Sequence, residues 1–113
     1  MPLIDARFSV TLDEAKKEEL KTAFGQLIGT LNKSETYLMV TIDDDKDIWM
    51  GGKKLERAAY VAVSLLGDAA PELYSKMTAQ FCELFSEKLG IPSDCVYVTY
   101  HPVANWGWNG SNF

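Results

Sequence analysis

Residues Leu3 to Val10 alternate, with Ile4, Ala6, Phe8 and Val10 on one side and Asp5, Arg7 and Ser9 on the other. A period of two predicts a half-buried strand almost at the N-terminus. Thr11 followed by Glu14 makes a capping box, which predicts that a helix opens there. Along it Leu20, Phe24, Leu27, Ile28 and Leu31 recur at helical spacing and mark a buried stripe, ended by Asn32-Lys33-Ser34. Tyr37 to Ile42 is a β-rich run, closed by the acidic stretch Asp43 to Asp47. After a Gly51-Gly52 turn, Ala58 to Leu66 reads as a strand that stops at Gly67. Pro71 and Glu72 suit a helix's first turn, Met77, Phe81, Leu84 and Phe85 form its stripe, and Gly90 follows its end. Val96 to Tyr100 is the next strand. The tail from His101 to Phe113 reads as loop with one short strand.

The two halves echo each other. Leu20, Phe24, Leu27 and Ile28 in the first helix match Met77, Phe81, Leu84 and Phe85 in the second. The strands that follow contain Val40-Thr41 and Val98-Thr99. This predicts an α+β fold: a duplicated β-α-β unit forming a four-stranded sheet with two helices on one face. The other sheet face is left bare, and self-association is the cheapest way to cover it.

A length of 113 residues fits one domain, residues 1–113. Net charge is −5, with 11 Lys and Arg residues scattered among 16 acids, so no basic patch exists for a phosphate backbone. Nucleic acid is not an expected partner. A small anionic substrate meets an acidic shell and needs local positive charge. The two cysteines, Cys82 and Cys95, and the lone His101 lack metal-ligand spacing, so no metal or cofactor is expected and the cysteines read as buried free thiols. No apolar run is long enough to span a membrane, and the first residues lack a basic region and carry Asp5 in place of a signal's apolar core. The expected location is cytoplasmic, with export by a signal-independent route as the alternative.

Pro2 is the first candidate for chemistry. Methionine aminopeptidases usually remove Met1 before a small residue such as proline, leaving a secondary amine at the chain terminus. In an apolar pocket the charged form of that amine is desolvated, its pKa falls toward neutrality, and it becomes a base at pH 7.

The chain from Pro2 to Phe113 resembles the macrophage migration inhibitory factor and D-dopachrome tautomerase family. The matching pieces are Met1-Pro2 running into a strand, Lys33 after the first helix, Gly51-Gly52, Ser64-Leu65-Leu66-Gly67, Val96-Tyr97-Val98-Thr99-Tyr100, and the ending Asn105-Trp106-Gly107-Trp108-Asn109-Gly110-Ser111-Asn112-Phe113. The resemblance implies a homotrimer with active sites between neighbouring subunits and a cofactor-free tautomerase of phenylpyruvate or dopachrome type. Its substrate is a small aromatic α-keto acid or similar enolisable compound. By resemblance Pro2 is the catalytic base, Lys33 holds the substrate's carboxylate or carbonyl, and Leu66 offers its backbone N–H. Leu65 is the alternative to Leu66, because one residue is inserted between Gly52 and Ala58. Tyr97 matches the aromatic residue a neighbouring subunit contributes. Trp106 and Phe113 form the pocket wall by resemblance, with packing as the alternative; Trp108 is mainly structural, and Tyr37 lies either at the pocket mouth or in surface packing.

The departures also inform. Ala58 and Val61 stand where some relatives carry a C-x-x-C pair, so no thiol–disulfide exchange is expected. Thr99 replaces an asparagine and His101 a tyrosine, which bears on substrate preference. His101 reads as surface structure rather than as a second acid–base group, and Asp43 to Asp47 as a solvated turn rather than a calcium loop. Arg7 and Arg57 match no pocket position, which disfavours decarboxylation or hydration. The competing function is a cytokine-like protein acting on a host receptor through the trimer surface.

Overall fold

The computed structural model describes residues 1–113. Its elements are β1 (Pro2–Phe8), α1 (Glu14–Leu27), β2 (Met39–Asp43), β3 (Trp49–Met50), β4 (Lys53–Lys54), β5 (Ala59–Leu66), α2 (Pro71–Leu89), β6 (Val96–Val103), β7 (Gly107–Trp108) and β8 (Ser111–Asn112). The main sheet has the order β2-β1-β5-β6. Its outer pairs β1/β2 and β5/β6 are parallel, each joined by a helix, and its central pair β1/β5 is antiparallel.

The duplication extends beyond the two β-α-β units. Asp5 pairs with Ala62 at the centre of the sheet, and the register runs outward symmetrically to Pro2–Leu65 at one end and Phe8–Ala59 at the other. Leu3 pairs with Met39 in the first unit, and Tyr60 with Tyr97 in the second. Each unit then closes with a small hairpin, β3–β4 or β7–β8. The Gly51-Gly52 turn lies inside the first hairpin, with φ of 59° and 80°; Asn109 and Gly110 take φ of 52° and 87° in the second. Two successive left-handed residues make the turn whose twist suits a two-residue hairpin. The tail is therefore a hairpin, not loop with one strand.

Local chemistry explains the other shifts from expectation. The helix cap is Asp13, whose carboxylate accepts the Lys16 N–H at 2.7 Å; Thr11 instead donates to Asp45 at 3.4 Å. A charged oxygen is the stronger acceptor and also faces the positive end of the helix dipole. Asp44 accepts the Leu12 N–H at 2.8 Å, so the acidic turn is stitched to the helix entry. That turn also takes the carbonyls of Phe8 and Val10, which ends β1 at Phe8. The first helix tightens to a 3-10 turn over Ile28–Leu31 and stops at Asn32, which is left-handed at φ 60°. Tyr37 lies in a short 3-10 turn ahead of β2, whereas β6 runs on through Pro102 to Val103.

Both stripes point into one core. Leu20, Phe24 and Ile28 from the first unit and Met77, Phe81 and Phe85 from the second are fully buried, while Leu27 and Leu84 flank them half-buried. Phe24 meets Phe81 edge-on at 5.5 Å, and Phe8 meets Phe85 at 5.1 Å. The helices cover the sheet face bearing Ile4, Ala6, Val61, Val63 and Leu65. The opposite face carries Leu3, Asp5, Tyr60, Ser64, Thr99 and His101 and has no covering layer within the chain. Cys82 and Cys95 are free thiols but only half-buried.

Candidate active site

An open cleft of about 780 Å³ lies where β1 begins. Pro2 and Leu3 belong to its floor because β1 starts there, flanked by Met39 of β2 and Ser64 of β5. Tyr37, held by the short turn before β2, forms one wall. Val103 at the end of β6 and Trp106 and Trp108 of the tail complete its lining.

The β7–β8 hairpin fixes that part of the lining. The Trp106 carbonyl accepts the Phe113 N–H at 3.0 Å, and Trp108 stacks on Phe113 at 6.3 Å with a tilt of 12°. Trp108 also meets Tyr37 edge-on at 5.4 Å, so it lines the cleft as well as bracing the tail. Phe113 backs the wall from outside and stays 62% exposed.

The polar groups sit at the N-terminus itself. Leu66 donates its N–H to the Met1 carbonyl at 3.0 Å, and its own carbonyl accepts from Lys33 Nζ at 3.0 Å. Leu65 is fully buried and turned to the core, whereas the Leu66 backbone bridges Met1 and Lys33. The terminal amine of Met1 lies below the ordinary range for such a group, first because burial penalises its charge and then because Lys33 repels it. Met1 is attached in this chain, so the Pro2 nitrogen is an amide here.

Tyr97 is not part of this cluster. It pairs with Tyr60, five positions along β5 from Leu65, the partner of Pro2. At about 3.3 Å per residue that separation is about 17 Å, beyond any side chain's reach. Tyr97 lies instead in a second, smaller cleft of about 250 Å³ at the start of β5, with Trp49, Met50, Tyr60 and Cys95.

Other polar residues have structural partners. Thr99 Oγ1 is hydrogen-bonded to His101 Nε2 at 2.8 Å and to the Tyr60 hydroxyl at 3.1 Å, forming a string on the open sheet face. Arg7 lies near Asp5 at 3.8 Å, and Arg57 donates to the Leu89 carbonyl at 2.7 Å, capping α2. No group of three or more His, Cys, Asp or Glu side chains comes together as a metal site. No helix is long and apolar enough to cross a membrane.

Sequence reasoning missed Leu3, Met39, Ser64, Val103 and Asn105 as cleft residues. Alternation does put Leu3 and Ser64 on polar-facing positions. Only the antiparallel register that pairs them brings both to Pro2.

The comparisons with known proteins agree with this architecture. The chain is 28% identical to macrophage migration inhibitory factor of Xenopus laevis, covering 100% of this chain and 99% of the relative. The rat factor is 29% identical over 117 residues, with the same coverage. Among solved structures, Leishmania major MIF2 superposes with a TM-score of 0.91 at 34% identity, covering 100% of this chain and 97% of that one. A homologue from Prochlorococcus marinus gives 0.80 at 28%, with 98% of each chain covered. The family model for macrophage migration inhibitory factor matches residues 1–113, and the chain belongs to that family.

Proposed function

We propose that this chain is a cofactor-independent keto–enol tautomerase for small aromatic α-keto acids of the phenylpyruvate or dopachrome type, with the Pro2 amine as base once Met1 is removed. Family membership supports a tautomerase or a cytokine-like role. The enzymatic reading rests on one observation: Pro2 lines a largely apolar cleft, and directly behind it the Leu66 backbone is hydrogen-bonded to Met1 and to Lys33, although neither Leu66 nor Lys33 lines the cleft itself.

In that reading Pro2 nitrogen takes the proton from the carbon beside the ketone, and the electron pair moves onto the carbonyl oxygen. Lys33 Nζ and the Leu66 N–H stabilise the charge growing there, and a proton returned to oxygen completes the enol; ketonisation is the reverse. A positioned base contributes about 10²- to 10⁴-fold. Lys33 has a second effect, since its charge disfavours protonation of a nearby amine. Tyr37, Trp106 and Trp108 enclose the substrate's ring, with Phe113 bracing them.

The distance of Tyr97 from Pro2 favours a homotrimer in which a neighbouring copy supplies that tyrosine. The bare sheet face favours assembly for the same reason: side chains such as Leu3 and Tyr60 are half-covered in one chain. The deciding experiment is turnover of phenylpyruvate by Pro2→Gly with the assembly state checked by light scattering. Loss of turnover in an intact assembly supports the proposal, and unchanged turnover rejects it.

A further inference from the structure

The hydrogen bond from Leu66 to Met1 has a twin. The central ladder is symmetric about the Asp5–Ala62 pair, and the bond that closes its far end runs from Ser9 N–H to the Ala58 carbonyl, also at 3.0 Å. At that end the acceptor belongs to an internal residue, and the Ala58 N–H is satisfied by Ser9 Oγ at 2.8 Å. At the Met1 end the acceptor sits on the residue that processing removes. The second bond of the pair is replaced, because Lys33 Nζ, not the Met1 amine, takes the Leu66 carbonyl.

Removing Met1 therefore leaves the two Leu66 groups in different states. Its carbonyl keeps Lys33, while its N–H loses its only partner within the chain. That donor then faces the vacated space next to Pro2, and a backbone N–H without a partner is a strong site for an oxygen. We infer that Met1 acts as an internal ligand, its carbonyl filling the oxygen site at Leu66 N–H, so that excision unmasks the base and the oxygen-binding donor together. This deepens the tautomerase reading and rests on it for the identity of the ligand, an α-keto acid. It differs in content from blocking the base: a Met1-bearing chain loses ligand binding as well as proton transfer.

The test compares three forms: the processed chain, the Met1-bearing chain made with methionine aminopeptidase inhibited and verified by intact mass, and a chain with Gly in place of Met1 released by protease cleavage. The third keeps the carbonyl and lacks the side chain. The probe is benzoylformate, an α-keto acid without an enolisable hydrogen, so binding is read apart from turnover. Residue-resolved amide exchange is expected to show Leu66 about 10²-fold faster in the processed chain than in the other two, with benzoylformate restoring its protection. In the Met1 and Gly forms benzoylformate should leave Leu66 unchanged, and the Ser9 amide should be equally protected in every form. The inference is overturned if Leu66 is equally protected without Met1, or if the Met1-bearing chain binds benzoylformate as tightly as the processed one. Phenylpyruvate turnover by the processed chain without a Leu66 response overturns this inference and leaves the base role standing. A Leu66 response without turnover does the opposite.

Discussion

The molecule has two clefts at equivalent places in a duplicated framework, one where β1 begins and one where β5 begins. Each is roofed by the hairpin of the other unit: β7–β8 leans over Pro2, and β3–β4 leans over Ala59. Each is flanked at its floor by the equivalent rung, Leu3–Met39 or Tyr60–Tyr97. In the proposed reading the chemistry differs because Pro2 opens β1 and Ala59 opens β5. A terminal proline can expose a titratable nitrogen, whereas Ala59 offers only a peptide bond. Next to the first cleft stands Lys33, which follows α1 and donates to the Leu66 carbonyl, while the two residues after α2, Gly90 and Ile91, carry no charge. Duplication provides the frame twice, and in the proposed tautomerase only the copy opened by Pro2 would be reactive, once Met1 is removed.

That contrast can be broken in several ways. The largest effect should come from Pro2→Gly, with phenylpyruvate kcat/KM falling about 10²- to 10⁴-fold while the assembly measured by light scattering is unchanged. Lys33→Ala should cost about 10²-fold in kcat/KM, as expected for loss of a preorganised charge partner. It should also move the pH profile. In the processed protein the rate should rise with pH as the Pro2 amine deprotonates. At the Met1 amine, burial and then Lys33 disfavour the protonated form; if the adjacent Pro2 amine feels the same charge, removing Lys33 should shift the profile to higher pH and lower activity most near neutral pH.

Tyr97→Ala tests whether the second cleft serves the first through a neighbouring copy. The expectation is a KM about tenfold higher, equivalent to about 1.4 kcal/mol for a lost aromatic contact. An unchanged KM in an intact assembly would confine Tyr97 to its own cleft. Ser9→Ala addresses the structural end of the ladder. It removes the bonds to Ala58 N–H and the Glu56 carbonyl, so stability in urea should drop by about 1–2 kcal/mol. Turnover at 25 °C should change least of all.

Much of the frame was legible. The helical stripes were readable because a 3.6-residue period over many residues is a strong signal, and their burial follows the predicted positions. The hairpins were not, because two-residue strands carry no period; their turns were visible only as Gly51-Gly52 and Asn109-Gly110. Thr11 and Asp13 both suit a cap, and the choice went to Asp13 once the acidic turn engaged Thr11 and Leu12. Within the site, Pro2 and Lys33 carried a chemical signature and a motif. Ser64, Val103 and Met39 carried neither, since an ordinary side chain becomes a cleft residue only through its neighbours across strands.

The sequence alone determined the element types, the duplication, the apolar faces and the presence of a proline after the first methionine, because these depend on local spacing and residue chemistry. Tertiary structure decided that Leu66 bonds to both Met1 and Lys33, that Trp108 stands over the cleft, and that Tyr97 lies five residue pairs along the sheet from Pro2, about 17 Å measured along the strands. Those facts follow from strand order and register, which are set by long-range pairing and burial rather than by any local segment of the chain.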